Sequence, residues 1–233
     1  MSLNLHAQFH RDGVLVIEQL ITPHRAAELA AVASTLLQST DGRRPGVRRV
    51  FEREPRLAAI EHEPAFAALM HALAGPSARV VRSILFDKTP ETNWLVPWHQ
   101  DPTIAVAERV DAPGFGPWNT KDGEHHCKPP LDVLKSIVTI RIHLDPCPAD
   151  AGPLRVINGS HRRGLLTEEL IASLATTGTV TEAVTSIGGA AIMTPLSVHS
   201  SPKATMPSGH RRVLHLECSA MNLPHGLRWA EAP

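Results

Sequence analysis

The chain has no tyrosine at all, and only 5 Phe and 4 Trp among its 233 residues. No phenol is therefore available to serve an active site, and aromatic surfaces on which nucleobases could stack are scarce. Cysteine is also sparse. Cys127, Cys147 and Cys218 are an odd number at irregular spacing, which excludes a disulfide framework and reads as reduced thiols in a cytoplasmic protein. Neither sign of charge is in excess, because 23 Lys and Arg balance 23 Asp and Glu. Such a chain has no basic field for nucleic acid or anionic lipid. No apolar run approaches the roughly 20 residues that span a bilayer. The first residues, Met1-Ser2-Leu3-Asn4-Leu5-His6, lack the charged and apolar regions of a secretory signal. The expectation is a small-molecule partner, no nucleic acid, no membrane and a cytoplasmic location, with monomer and homodimer both open.

What is present divides the chain in two. Val14 to Glu18 reads as a short strand after the Asp12-Gly13 turn. Thr22-Pro23 is an N-cap followed by proline at the first helical position. It opens a helix through about Leu37, with Ala26, Leu29, Ala30, Val32, Ala33, Leu36 and Leu37 at helical spacing. Pro55 to Ile60 and Ala65 to Ala74 read as two further short helices, the second ended by Gly75-Pro76. From Arg79 the pattern turns to β: Val80–Phe86, Leu95–His99, Ile137–Leu144, Leu154–Ile157, Ala183–Ile187, Ala190–Met193 and Arg211–Cys218. Leu165 to Leu174 predicts one helix set between strands, and Thr103 to Pro130, rich in Gly and Pro, predicts a long active-site loop. All-β folds of 200–250 residues are often one domain. The expectation is a single domain over residues 1–233, helical over about 1–77 and a β-barrel core over about 78–220. The class is mainly β with flanking helices (α+β).

The chemistry is carried by Trp98-His99-Gln100-Asp101 and, far along the chain, Val198-His199-Ser200-Ser201 followed by Arg211-Arg212. A histidine and a carboxylate two apart on an extended segment point to the same side. One distant histidine then completes two imidazoles and one carboxylate, which suit one face of a non-haem Fe(II) centre. An arginine on a later strand can hold the far carboxylate of a keto-acid co-substrate by a bidentate pair. His-x-Asp alone is a weak signal. Its context strengthens it, since apolar runs precede both His99 and His199 and a strand begins at Arg211. His210 and His215 lie close enough to compete with His199 as third ligand. Arg211 and Arg212 cannot both face inward, because neighbours on a strand point oppositely. A hairpin from His199 to Arg211 would put ligand and anchor on adjacent strands.

The chain resembles the phytanoyl-CoA dioxygenase-like family of Fe(II)- and 2-oxoglutarate-dependent oxygenases. The resemblance rests on Phe9-His10-Arg11-Asp12-Gly13-Val14-Leu15-Val16-Ile17, Leu85-Phe86-Asp87-Lys88-Thr89-Pro90, Trp98-His99-Gln100-Asp101, His143-Leu144-Asp145, Gly152-Pro153-Leu154-Arg155-Val156, Gly159-Ser160-His161-Arg162 and the region from His199 to Arg212. It covers nearly the whole chain. It implies a double-stranded β-helix, the jelly roll of cupin-like proteins, with an N-terminal helical layer. It implies Fe(II), 2-oxoglutarate and O2 as cofactors and co-substrates, with His99, Asp101 and His199 as catalytic metal ligands. It matches Arg211 to the 2-oxoglutarate anchor. Ser201, two after His199, could add a hydroxyl to the same carboxylate or simply start a loop, and Lys88, in a family-like stretch, is a cofactor candidate at the entrance or a solvent-facing turn residue.

Substrate residues are less legible. Thr139, Arg141 and His143 alternate with Val138, Ile140, Ile142 and Leu144, so one face of that strand is polar. If it points inward, Arg141 suits a substrate carboxylate; if outward, it meets water. Asn93, just before the metal strand, and Trp118, in the long segment, are further candidates. Arg43, Arg44, Arg48 and Arg49 form a basic cluster that would favour an acidic substrate at an entrance. His125-His126-Cys127 does not read as zinc, because adjacent ligands diverge and no second pair lies at finger spacing.

The implied reaction is oxidative decarboxylation of 2-oxoglutarate to succinate and CO2, coupled to hydroxylation of a small-molecule substrate at an unactivated C–H bond. Asp101 argues against a halogenase, where that ligand position must be free for halide. Two rivals remain: a divalent-metal hydrolase or isomerase on a cupin-type barrel, and a non-catalytic small-molecule-binding barrel. A hydrolase has no need of Arg211, and a binding barrel has no need of intact His99, Asp101 and His199.

Overall fold

The computed structural model describes residues 3–39 and 46–231. Arg43 and Arg44 lie outside them. The elements run α1 (Leu3–Asp12), β1 (Val14–Ile17), α2 (Pro23–Gln38), β2 (Gly46–Arg48), α3 (Val50–Arg53), a 3-10 segment (Pro55–His62) and α4 (Pro64–Ala74). Then follow β3 (Arg79–Lys88), β4 (Val96–His99), β5 (Ile104–Val106), β6 (Trp118–Lys121), β7 (Glu124–Cys127), α5 (Leu131–Lys135), β8 (Val138–His143) and β9 (Arg155–Ile157). The chain ends with α6 (Glu168–Thr177), β10 (Val180–Glu182), β11 (Ala190–Met193), β12 (His199–Ser201) and β13 (Arg211–Ser219).

Two sheets face each other. One has six strands in the order β1-β11-β8-β13-β3-β2, and the other has four, β10-β9-β12-β4. Every pairing in them is antiparallel. The strand order shows why alternation matters. On β8, Val138, Ile140 and Ile142 pack outward, and on β13, Leu214 and Leu216 do the same. They meet Ala26, Leu29 and Ala33 of α2 and Phe66 and Leu69 of α4 in one apolar cluster. The helices of the N-terminal part thus cover the outer face of the six-stranded sheet. The alternate residues, Thr139, Arg141 and His143 of β8 and Arg211, Val213, His215 and Glu217 of β13, are buried on the inner face. The fold is the mainly β, helix-flanked jelly roll that the sequence pattern implies.

Local chemistry sets the boundaries. Thr22 caps α2, its hydroxyl accepting from Arg25 N at 3.1 Å. Thr167 caps α6 by accepting from Leu170 N, which moves that helix about one turn later than the apolar pattern alone predicts. The helix α1 and the short β2 and α3 are not among the expected elements.

Three expectations are corrected. Ala183–Ile187 is not a strand. β10 lies before it, and Thr185 makes only an isolated bridge to Cys147. The segment carries the chain from the four-stranded sheet to the six-stranded one, so it cannot remain in the ladder of either. Thr103–Pro130 is not simply a loop: it contains a three-stranded sheet, β5-β7-β6. Asp122 and Gly123, both at positive φ (53° and 80°), make the two-residue turn that joins β6 to β7. Finally, His199 and Arg211 are not joined by a hairpin. β12 belongs to the four-stranded sheet and β13 to the six-stranded one, so the two residues approach from facing walls.

Candidate metal centre

His99 ends β4, and His199 begins β12 directly opposite it in the antiparallel register. Asp101 follows His99 by two residues and is held by its own backbone, its N–H donating to Pro195 O at 2.9 Å. The two imidazole rings stand 4.2 Å apart between centroids. His99 Nε2 is 3.6 Å from Asp101 Oδ1, and His199 Nε2 is 3.5 Å from Asp101 Oδ2. One ligand atom from each residue lies within 4.8 Å of the others, and this is the group among the described residues that meets such a criterion. Neighbouring ligands on a cation with bonds of roughly 2.1 Å are about 3 Å apart, so the spacing suits one ion.

The tautomers also suit one. His99 Nδ1 lies 2.8 Å from the Pro97 carbonyl, and His199 Nδ1 lies 2.9 Å from the Ser197 carbonyl. A carbonyl only accepts, so each Nδ1 carries a proton and each Nε2 is the ring atom turned toward Asp101. Burial, more than the opposing Asp101 charge, pushes the His199 imidazole down to about 4, which keeps it neutral and able to ligate. Burial pushes the Asp101 carboxyl up, but His199 and His99 together outweigh it and hold it well below the usual carboxylate range.

These residues open on a cavity of about 210 Å³ whose walls also carry Ile84, Phe86, Trp94, Arg141, Ser201, Arg211 and His215. At one end Arg211 is 2% exposed, and its Nε and Nη1 have no hydrogen-bond partner. A buried guanidinium with free donors is costly unless an anion meets it. Lys88 stands opposite Arg211 in the register and is fully buried. Its Nζ donates to Ser201 Oγ (3.0 Å) and to Pro202 O (2.7 Å). Burial, then the charges of Arg211 and Arg141, lower its ammonium to about 7. Ser201 Oγ in turn donates to Gly152 O at 2.9 Å.

The other named residues separate clearly. Arg212 points outward, where it pairs with both carboxylate oxygens of Asp145 (2.8 and 2.6 Å) and donates to Ala30 O and Ser34 Oγ of α2. His210 is on the surface, 2.8 Å from Asp87, and does not reach the centre. His215 lies inside, its Nδ1 2.7 Å from Arg141 Nη1. The polar face of β8 points inward, which puts Arg141 in the cavity wall. Asn93 is not in that wall: its amide is spent on Ala204, donating to the carbonyl (2.7 Å) and accepting from the N–H (2.9 Å). Trp118 packs with the apolar cluster of the three-stranded sheet, and Arg109 stacks over it at 5.8 Å. His126 of the His-His-Cys run lies with its Nε2 2.8 Å from Glu124 Oε2. Arg48 and Lys121 reach the cavity.

Sequence reading missed Arg82 and Glu217, which line the cavity and pair with each other at 2.8 Å. The signal was present: Arg82, Ile84, Phe86 and Lys88 share one face of β3, and Glu217 is three alternations after Arg211 on β13.

No curated protein matches the sequence. The structure is similar to that of SnoK, a non-heme alpha ketoglutarate dependent carbocyclase from nogalamycin biosynthesis. The TM-score is 0.73 at 15% identity, over 94% of this chain and 83% of that one. It is also similar to EctD from S. alaskensis with 2-oxoglutarate and 5-hydroxyectoine (TM-score 0.72, 20% identity, 94% of this chain and 76% of that one). AviO1 from Streptomyces viridochromogenes Tue57 gives a TM-score of 0.65 at 22% identity, over 97% and 96% of the two chains. At these identities the likeness speaks for the fold. The family model for phytanoyl-CoA dioxygenase (PhyH) matches residues 9–213, and the chain therefore belongs to the phytanoyl-CoA dioxygenase family.

Proposed function

We propose that residues 1–233 form a single domain that is an Fe(II)- and 2-oxoglutarate-dependent dioxygenase, hydroxylating a small-molecule substrate. One observation carries the reading. A neutral His199, a His99 whose Nε2 faces the centre and an ionised Asp101 meet in the same cavity as Arg211, a buried guanidinium with unpaired Nε and Nη1. The solved neighbours support it, since EctD is described with bound Fe and with 2-oxoglutarate, and SnoK as alpha ketoglutarate dependent. A hydrolytic metal site would leave Arg211 unexplained.

The donor set fits the group. Nε2 of His99, a carboxylate oxygen of Asp101 and Nε2 of His199 would hold Fe(II), two neutral nitrogens and one anionic oxygen being a set that iron accepts. When bound, iron supplies the activation of O2 that couples decarboxylation of the co-substrate to oxidation of a C–H bond. Everything else falls to the chain. Pro97 O and Ser197 O fix the two imidazole tautomers. Arg211 would receive the far carboxylate of 2-oxoglutarate on its free donors, with Lys88 and Ser201 at the same end. Ile84, Phe86 and Leu154 keep the wall between these poles apolar, which limits water beside the reacting groups.

The test is an anaerobic titration, Fe(II) first and 2-oxoglutarate second. The expected result is one Fe(II) per chain and then a weak visible charge-transfer band from a chelated keto acid. Iron binding without the band overturns the co-substrate assignment, and no iron binding overturns the oxygenase reading altogether.

A further inference from the structure

Among the described residues, one buried cation of the cavity wall has no carboxylate beside it. Arg82 is matched by Glu217 at 2.8 Å and by Glu124 at 3.2 Å. Arg48 is matched by Asp122 at 3.2 Å. Fe(II), Asp101, a doubly charged 2-oxoglutarate and Arg211 would together sum to zero. Arg141 remains. It is 7% exposed and lines the cavity, and its Nε is buried without a partner. Among the described residues no carboxylate lies within ion-pair distance of it. Its neighbours are a neutral acceptor and an aromatic face: Nη1 meets His215 Nδ1 at 2.7 Å, and the guanidinium lies 5.5 Å from the Phe86 ring centre. A guanidinium so placed lacks a counter-charge that burial makes costly to omit.

The group is also aimed. For His215 Nδ1 to accept from Arg141, the ring proton must sit on Nε2, which faces Glu217 Oε1 at 3.7 Å. Glu217 is itself held by Arg82. The chain Arg82–Glu217–His215–Arg141 therefore favours that tautomer of His215, whose Nδ1 holds Arg141 Nη1. Arg141 pairs with His215 across the β8–β13 ladder, and His215 is two alternations from Arg211 along β13.

Resting on the oxygenase reading above, we propose that the primary substrate carries an anionic group, a carboxylate or a phosphate, and that Arg141 binds it. Lys121 at the cavity wall adds positive charge on the approach. His215 is a positioning residue in this arrangement, acting through Arg141.

The experiment uses the protein loaded anaerobically with Fe(II) and 2-oxoglutarate. Acetate, methyl phosphate and neutral acetamide are titrated by calorimetry into wild type, Arg141→Gln and Arg141→Lys. 2-Oxoglutarate affinity is measured separately from its visible band. The expected result is that acetate or methyl phosphate binds wild type while acetamide does not; which anion binds tells a carboxylate substrate from a phosphate one. Arg141→Gln should weaken that anion at least tenfold, Arg141→Lys should recover part of it, and 2-oxoglutarate affinity should change by less than about twofold. Equal anion binding in wild type and Arg141→Gln overturns the proposal, as does binding of neither anion to wild type. A tenfold loss of 2-oxoglutarate affinity in Arg141→Gln also overturns it, by making Arg141 a co-substrate residue. If Arg141→Gln does not fold, the charge-retaining Arg141→Lys and the anion-against-amide comparison in wild type still decide it. Wild type that takes up no Fe(II) or 2-oxoglutarate overturns the oxygenase reading, a failure separate from all of these.

Discussion

Arg211 and Arg212 are neighbours in sequence with opposite surroundings. Arg211 is buried with free donors, and Arg212 binds Asp145 and the backbone of α2. Their alanine variants should therefore fail differently. Arg211→Ala removes one partner of a buried charge pair, which costs about 2–5 kcal/mol, so 2-oxoglutarate affinity should fall at least about 30-fold. Arg212→Ala should leave that affinity nearly unchanged but lower stability by about 2 kcal/mol, or roughly 4–8 °C in Tm for a chain of this size. Titration of the visible band and thermal unfolding read the two effects. Equal losses of affinity would mean that the strand parity is misassigned. The metal ligands make a second residue-scale case. His199→Ala and Asp101→Gly should each abolish stoichiometric Fe(II) binding and 2-oxoglutarate-dependent succinate formation. Tm of the metal-free protein should stay within a few degrees of wild type, since these side chains face a cavity and not the apolar clusters. Full iron occupancy in His199→Ala would move the third ligand to His215.

Among the elements, the corner between the two sheets is tightly constrained. After β10 the chain must turn into β11, and Gly188 makes that turn at φ 81°. Its carbonyl accepts from both Leu20 N (2.8 Å) and Ile21 N (3.0 Å), pinning the β1–α2 connection to the sheet. A Cβ there would lie 2.4 Å from Ile21 O. Gly188→Ala combines left-handed backbone strain with that clash, and should destabilise by at least about 2 kcal/mol. Chemical denaturation would show this as a lower midpoint at unchanged slope. A wild-type midpoint would mean that the turn relaxes freely and does not set the corner.

At the scale of the molecule, a buried ionic chain ties the three-stranded sheet to the barrel. Arg82 of β3 pairs with Glu217 of β13 and with Glu124 of β7, and Glu124 meets His126. For Glu124, burial alone would raise the carboxyl, but His126 and Arg82 together bring it below its ordinary value. A carboxylate lowered in the folded state contributes stability above its unfolded pKa and loses it as pH falls through the carboxylate range. Glu124→Gln should therefore cost about 3 kcal/mol at pH 7, and the gap to wild type should shrink toward pH 4 and below. Urea unfolding at the two pH values measures it; a gap independent of pH would assign the loss to packing and not to charge.

The same scales mark how far the chain could be read unfolded. His99-x-Asp101 was legible because ligand parity is local: residues two apart on a strand share a side whatever the rest of the fold does. The α2 cap at Thr22-Pro23, the β11 run and the alternation of β8 and β13 were legible for the same reason. The helical layer over a jelly roll followed from order along the chain and from family resemblance. What stayed hidden depends on partners distant in sequence. The inward turn of Arg141 needs the helices that cover Ile140 and Ile142. The outward staple of Arg212 needs Asp145 and Ser34. The role of Asn93 as a clamp on Ala204, the separation of His199 and Arg211 onto facing sheets and the break in pairing at Ala183–Ile187 each follow from how two sheets meet. Side-chain periodicity is carried by each strand alone, whereas the sheet a strand joins, and the charge left unmatched when the walls close, are properties of contacts between segments up to two hundred residues apart.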